Sequence, residues 1–183
     1  MLVFTAVLGV AYPVAITALG QIALPTQSNG SLIKSGATSV GSSLIGQSFT
    51  DDTGAALPEW FQSRPSAAGA GYDASASSGS NLGPENPALI AAIGDRQNAI
   101  ERSDGATASQ IPADAVTASG SGLDPQISPT NARMQVHRVA TARGLTVATV
   151  RALVEATVRD RDLGYLGEQT VNVLELNLAL SQL

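Results

Sequence analysis

Two kinds of hydrophobic pattern divide the chain. From Met1 to Leu24 nearly every residue is apolar, with only Thr5, Thr17 and Gln21 clearly polar. As a helix rising about 1.5 Å per residue, this stretch reaches about 36 Å, more than the roughly 30 Å hydrocarbon core of a bilayer. Gly9, Pro13 and Gly20 disfavour a helix in water but are tolerated in lipid. Ala11, Ala15 and Ala18 leave room for a second helix to approach. Pro25 and the polar run 26–30 predict the helix end.

Beyond this run the apolar residues become periodic. Asn86-Pro87 reads as an N-cap with proline at the first helical position, followed by a stripe of Ile90, Ile93, Gln97 and Ile100. Ser128-Pro129 repeats that signal, with Met134, Val139 and Ala142 as the expected buried face and Gly144 as the stop. Thr146 caps a third helix carrying Val150, Leu153, Val154, Thr157 and Val158. At the end, alternating leucines suggest a strand, but Asn172 with Glu175 forms a helix-start box. Val173, Leu176, Leu180 and Leu183 share a helical face, so a helix is expected there. Short strands are expected at 31–33, 43–49 and 115–117, and Gly/Ser/Ala tracts at 67–71 and 75–80 read as loops. The pattern predicts a single N-terminal transmembrane helix (residues 1–25), then an α+β domain (residues 26–183) in which a small sheet carries about three to four helices.

Charge reinforces the division, because every charged side chain lies at or beyond Lys34. A cleaved signal peptide is the alternative to an anchor. It calls for a basic start and a short apolar stretch, whereas this run is long and has no basic start, so a retained anchor is expected. Lys34 is the only nearby positive charge, so charge does not orient the helix. A start codon set too far downstream would account for the missing basic lead.

Composition narrows the chemistry. With 10 basic and 15 acidic residues the net charge is −5, which lacks the basic footprint of a nucleic-acid binder. There is no cysteine, which removes disulfides, thiolate metal sites and cysteine nucleophiles. A single histidine makes a zinc centre improbable, and no metal site is assigned. The glycine-rich stretch Val116–Pro125 offers Ser119, Gly120, Ser121, Gly122 and Asp124 as weak phosphate-binding candidates. It lacks a Walker-type lysine, and its glycines do not match the dinucleotide fingerprint. The favoured reading is a loop in which Gly120 and Gly122 adopt positive φ and Asp124-Pro125 turns. Ser119 or Ser121 with His137 does not form a nucleophile elbow, and no carboxylate pair stands in an acid–base context, so no catalytic residue is assigned. Asp51-Asp52 reads as a turn, and Asp160 and Asp162 beside Arg159 and Arg161 as a charged helix end. Trp60-Phe61 followed by Arg64-Pro65 reads as a packed corner with a buried structural Arg64.

Several long stretches, in order, resemble the KdpC family, accessory subunits of Kdp potassium-transporting P-type ATPase complexes. They are Gly9–Pro13, Asn29–Ile33, Gly41–Gln47, Trp60–Ala67, Ser78–Pro84, Thr117–Pro125, Arg138–Ala140 with Ala142–Leu145, and Val171–Leu178. Gln126 stands where the family usually has His after Asp-Pro, and the usual short basic lead is missing. The resemblance implies a single-pass protein of the cytoplasmic membrane whose C-terminal domain is extracytoplasmic. It also implies a subunit that does not itself hydrolyse ATP. Its expected partners are a channel-like potassium-translocating subunit, a P-type ATPase subunit and the lipid bilayer. As a catalytic chaperone it would raise the ATP affinity of the hydrolysing subunit, with no cofactor of its own and ATP only in concert with that subunit. Gly9, Pro13, Ala15, Trp60, Phe61, Arg64, Asn81, Asn172 and Asn177 are the expected structural or interface positions. A membrane-anchored serine hydrolase and a free-standing extracytoplasmic binding module are the alternatives.

Overall fold

The computed structural model describes residues 1–183 and divides into two compact units, Met1–Leu44 and Ile45–Leu183. In the first unit, α1 (Leu2–Ala23) is continuous and apolar and has none of its hydrophobic window buried by protein. One stretch, Val7–Ala11, is wound as a π-helix. The cause lies just beyond it. Pro13 has no N–H and its ring crowds the carbonyl of Gly9, and a locally wider turn relieves that crowding. Thr5 and Thr17 donate their hydroxyls to the carbonyls of Met1 (3.2 Å) and Pro13 (2.8 Å). Bonds of that kind suit a helix with no water to turn to.

The helix ends at Leu24, but the polar run after it is not wholly irregular. Pro25–Ser28 forms one further helical turn, α2, and Asn29 closes it by donating to the Pro25 carbonyl (2.6 Å) and to Gln21 Oε1 (3.0 Å). Strands β1 (Leu32–Ser35) and β2 (Thr38–Ser42) then pair as an antiparallel hairpin with a bulge at Ile33/Lys34. Gly36, at φ +61°, supplies the left-handed conformation that a tight hairpin turn requires.

In the second unit four substantial helices surround one core. Asn86 caps α3 (Pro87–Asp104) by accepting from the Ala88 N–H at 2.9 Å. After one turn of helix, α4 (Ala113–Val116), and the two-residue strand β3 (Gln126–Ile127), helix α5 (Pro129–Arg143) is capped by Ser128. Gly144 (φ +67°) ends α5, and the Leu145 N–H returns to the Ala140 carbonyl (2.9 Å), so α6 (Val147–Thr157) folds back antiparallel on α5. Strand β4 (Val171–Asn172) pairs with β3, and α7 (Val173–Leu180) follows, with Asn172 Oδ1 accepting from the Glu175 N–H (3.1 Å). The core gathers Phe61, Ile127, Val136, Val139, Val150, Val154, Val171, Leu176 and Leu180.

The α+β class with its N-terminal apolar helix is observed, and several details are corrected. The expected small sheet is two separate two-stranded sheets. Residues 43–49 form no strand, 43–44 being a turn, 45 a single bridge residue and 46–49 irregular, and 115–117 belongs to α4 and its end. An apolar run of three residues carries no period, so nothing distinguished a strand from a turn of helix there. Ala142 is exposed, the buried face of α5 running instead through Ala132, Val136, Val139 and Ala140. No residue of α3 is fully buried, and Leu183 lies beyond α7, exposed. Helix α6 stops at Thr157, so Arg159–Asp162 form a loop closed by pairs between Arg159 and Glu175 and between Arg161 and Glu168.

Candidate functional site

Segment 60–64 runs through the second unit without a strand partner, so its buried backbone groups need other acceptors and donors. Two side-chain amides supply them. The Phe61 N–H donates to Asn177 Oδ1 and Asn177 Nδ2 donates back to the Phe61 carbonyl, both at 2.9 Å. One residue on, the Gln62 N–H meets Gln135 Oε1 (2.7 Å) and Gln135 Nε2 meets the Gln62 carbonyl (3.1 Å). Each amide thus imitates one rung of a β ladder. Both amides are buried, so losing either strands a donor and an acceptor, at about 1–3 kcal/mol each.

Two guanidinium groups complete the clamp. Arg138 donates to the carbonyls of Pro58 (2.7 Å) and Trp60 (2.9 Å) and to Gln135 Oε1 (2.7 Å), while its Nε meets Asp104 Oδ1 at 2.9 Å. The Arg138 and Asp104 side chains are only 8% and 5% exposed. Arg143 lies over the Trp60 ring, 4.2 Å from its centre, and donates to the Glu59 carbonyl (2.8 Å). Trp60 also stands 6.1 Å from Phe49, so the aromatic pair and the cation share one corner.

Residues 117–125 are held from the other side. Gly122 has φ +69°, and a Cβ there would lie 2.6 Å from the Ser78 carbonyl and 2.8 Å from Ala68. Gly120 is not at positive φ and has open space where its Cβ would be, so only one of the two expected glycines needs its freedom. Ser66 Oγ donates to the Gly122 carbonyl (2.6 Å), and the Ser78 N–H and Ser77 Oγ donate to the Ser121 carbonyl (2.9 and 3.0 Å). Ser121 Oγ accepts from the Leu123 N–H (3.1 Å), and Ser119 is buried. The loop leads into β3 rather than opening a helix, so no helix terminus adds its N–H groups to this glycine run.

Arg64 links the two segments. Its Nη1 meets Asp124 Oδ2 at 3.1 Å and its Nη2 the Thr117 carbonyl at 3.4 Å, while its buried Nε makes no hydrogen bond. The Tyr72 hydroxyl donates to the Arg64 carbonyl (2.8 Å), and burial of that phenol pushes its pKa up to about 12.

The remaining expected positions lie elsewhere. Gly9, Pro13 and Ala15 are exposed along α1, and Asn81 is exposed with φ +52°, a conformation Asn tolerates better than most residues. Asn172 caps α7, His137 is exposed on α5, and Gln126 lies in β3 opposite Asn172. Asp51 is indeed a turn residue, its Oδ1 accepting from the N–H groups of Thr53 (2.8 Å) and Ala55 (2.9 Å).

Sequence reasoning missed the clamp itself. Asn131, Gln135 and Arg138 recur at spacings of four and three along α5, a polar stripe beside the apolar one. Asp114 went unnoticed as well. It accepts from the Ser128 N–H (2.8 Å), Ser128 Oγ (2.9 Å) and Asn131 Nδ2 (3.1 Å), tying α4 to the start of α5. The clamp thus unites segments 60–67, 117–125, 138–145 and 171–178, which are far apart in sequence.

The chain that carries this clamp is similar to known proteins along nearly its whole length. A family profile described as "KdpC: K+-transporting ATPase, c chain" matches residues 1–182. The chain belongs to the KdpC family. A relative from Kineococcus radiotolerans, named potassium-transporting ATPase KdpC subunit, is 52% identical over 180 residues, 98% of this chain and 88% of its own. Another of the same name, from Caulobacter vibrioides, is 55% identical over 178 residues, 97% and 86% of the two chains. One from Mycobacterium tuberculosis is 48% identical over 184 residues, 100% and 94%. In this KdpC family member the clamp fixes one loop against two helices, while Ser119, Ser121 and His137 form no hydrogen-bonded pair with one another.

Proposed function

We propose that this chain is the non-hydrolysing subunit of an ATP-driven potassium uptake complex. Residues 1–25 act as a retained single-pass anchor in the cytoplasmic membrane, and residues 26–183 lie on its extracytoplasmic side. The subunit assembles and stabilises a channel-like potassium-translocating subunit and a P-type ATPase subunit. It has no cofactor of its own, and it raises the ATP affinity of the hydrolysing subunit as a catalytic chaperone. The observation that carries this reading is the end-to-end family match, residues 1–182, to proteins named as subunits of a potassium-transporting ATPase.

Two physical features support it. Helix α1 exposes its apolar side chains along its whole length, which is stable only against lipid or another membrane helix. The glycine-rich loop is held through its own carbonyls by Ser66, Ser77 and Ser78, which supports a structural role for it within the assembled complex.

Co-purification is the test. In mild detergent the chain should elute with a P-type ATPase and a channel-like subunit, and stripping it should raise the ATP concentration needed for half-maximal potassium-stimulated hydrolysis. Recovery as a lone monomer overturns the assembly role. An unchanged ATP dependence after stripping removes the chaperone role and leaves assembly standing.

A further inference from the structure

The second unit contains a cavity of about 370 Å³ between the 48–72 segment, α3 and α5. That is the size of a small-molecule site rather than a packing defect. Its apolar wall includes Phe49, Ala99, Ile100 and Met134. Of the apolar stripe of α3, Ile100 faces this space, with Ala99 beside it.

The cavity's charge is unbalanced. Three guanidinium groups line it, those of Arg64, Arg96 and Arg138, against one carboxylate, Asp104. Asp104 neutralises Arg138 at 2.9 Å, and Asp124 neutralises Arg64 at 3.1 Å. Arg96 is different. No carboxylate lies in salt-bridge range of it, it is half-buried, and its one hydrogen bond runs from Nη1 to the Val116 carbonyl at 2.8 Å. A guanidinium carries five N–H donors in a planar fork that matches a carboxylate edge to edge. Next to an apolar wall, an unpaired cation attracts an anion more strongly than it would in water. One unbalanced positive charge suits a monoanion, since a dianion would bring in a second charge with no partner.

We infer that this cavity is a binding site for a small monocarboxylate with an apolar body, its carboxylate on Arg96 and its body against Phe49, Ile100 and Met134. The inference is independent of the transport role and applies to the chain with or without its partners.

The test uses the full chain in lipid nanodiscs and phenylacetate as the probe. Trp60 is the single tryptophan and stands beside cavity-lining Phe49, so its fluorescence reports occupancy. Phenylacetate should give a saturable change, and phenylacetamide, the same shape without charge, should bind at least about tenfold more weakly. Arg96→Gln should weaken phenylacetate by a similar factor, with Arg96→Lys recovering part of the loss. Ala99→Phe should abolish binding by filling the cavity while leaving the melting temperature near that of the parent. No saturable response, or equal binding of acid and amide, overturns the proposal on the parent chain alone, whatever happens to the folding of the variants. Tighter binding of a tripeptide ending in a phenylalanine carboxylate would assign the site to a chain terminus and overturn the small-molecule reading.

Discussion

Met1–Leu44 and Ile45–Leu183 solve the same problem in opposite ways. Both must satisfy backbone polar groups while disposing of apolar side chains. In the first unit, α1 bonds its backbone to itself, tucks the Thr5 and Thr17 hydroxyls onto its own carbonyls and turns every apolar side chain outward. In the second, apolar side chains point inward, and an irregular backbone is held by buried amides and guanidinium groups from distant helices. The first arrangement needs an apolar surrounding. The second carries its own interior and should unfold cooperatively without one.

The sharpest way to break the second arrangement is at Arg138. Arg138→Met keeps much of the side chain's volume but leaves Asp104 buried without its cation and strips donors from Pro58, Trp60 and Gln135. Removing one partner of a buried ion pair costs about 3–5 kcal/mol. Denaturant unfolding of the full chain in nanodiscs, followed by Trp60 fluorescence, should show that loss while the helical signal of α1 persists. A loss below about 1 kcal/mol would mean the clamp is redundant.

Gly122→Val tests the loop by conformation rather than charge. A β-branched residue at φ +69° costs about 1–3 kcal/mol, and here its Cβ also meets the Ser78 carbonyl. Gly120→Ala, with open space and no positive φ, should stay within about 0.5 kcal/mol of the parent. Both are read by thermal unfolding. If Gly122→Val instead unfolds normally, assembles normally and loses only ATP affinity, the loop acts on nucleotide.

These contrasts also show what the sequence could reveal. Helix starts were legible at Asn86, Ser128, Thr146 and Asn172, because a cap is a local bond between one side chain and an N–H two or three residues on. The apolar helix was legible because length and composition suffice to define it. The clamp was not. Phe61 and Asn177 are separated by 116 positions, and nothing local in either tells that an amide will replace a strand. Ser43–Phe49 reads as a strand for a related reason: a short run with scattered apolar residues can be extended, but strand status depends on a partner that no local signal names. Arg64, expected beside the aromatic pair, is instead held part-buried by Asp124 and Thr117, while Arg143 takes the place over Trp60, and the imbalance at Arg96 became visible only once Asp104 and Asp124 were seen to serve other arginines.

Titration separates the units more gently. Burial raises the Tyr72 pKa from 10.0 to about 12. Between those values the unfolded chain gives up the phenol proton while the folded chain keeps it. The folded state therefore binds more protons there, and stability falls as pH rises through that window. The contribution is fully present below pH 10. Tyr72→Phe should flatten this part of the stability curve, at the cost of the bond to the Arg64 carbonyl. An unchanged slope between pH 10 and 12 would show that the phenol is solvated.

The smallest expected effect lies in α1, where no interior packing exists to disturb. Ala11, Ala15 and Ala18 follow at spacings of four and three and so share one face of the helix. If that face meets another membrane helix, Ala15→Leu adds bulk where two backbones approach and should weaken complex formation by about 1 kcal/mol, roughly fivefold. Ile16→Leu lies about 100° or more around the helix from all three alanines and exchanges one aliphatic group for another that lipid solvates equally well, so it should be silent. Both variants keep the apolar length of Leu2–Ala23, so insertion is unaffected. Subunit co-elution and potassium-stimulated ATPase activity in mild detergent decide the matter. If Ala15→Leu matches the parent, α1 is a tether solvated by lipid on all sides, and the binding energy for assembly must come from the rest of the chain.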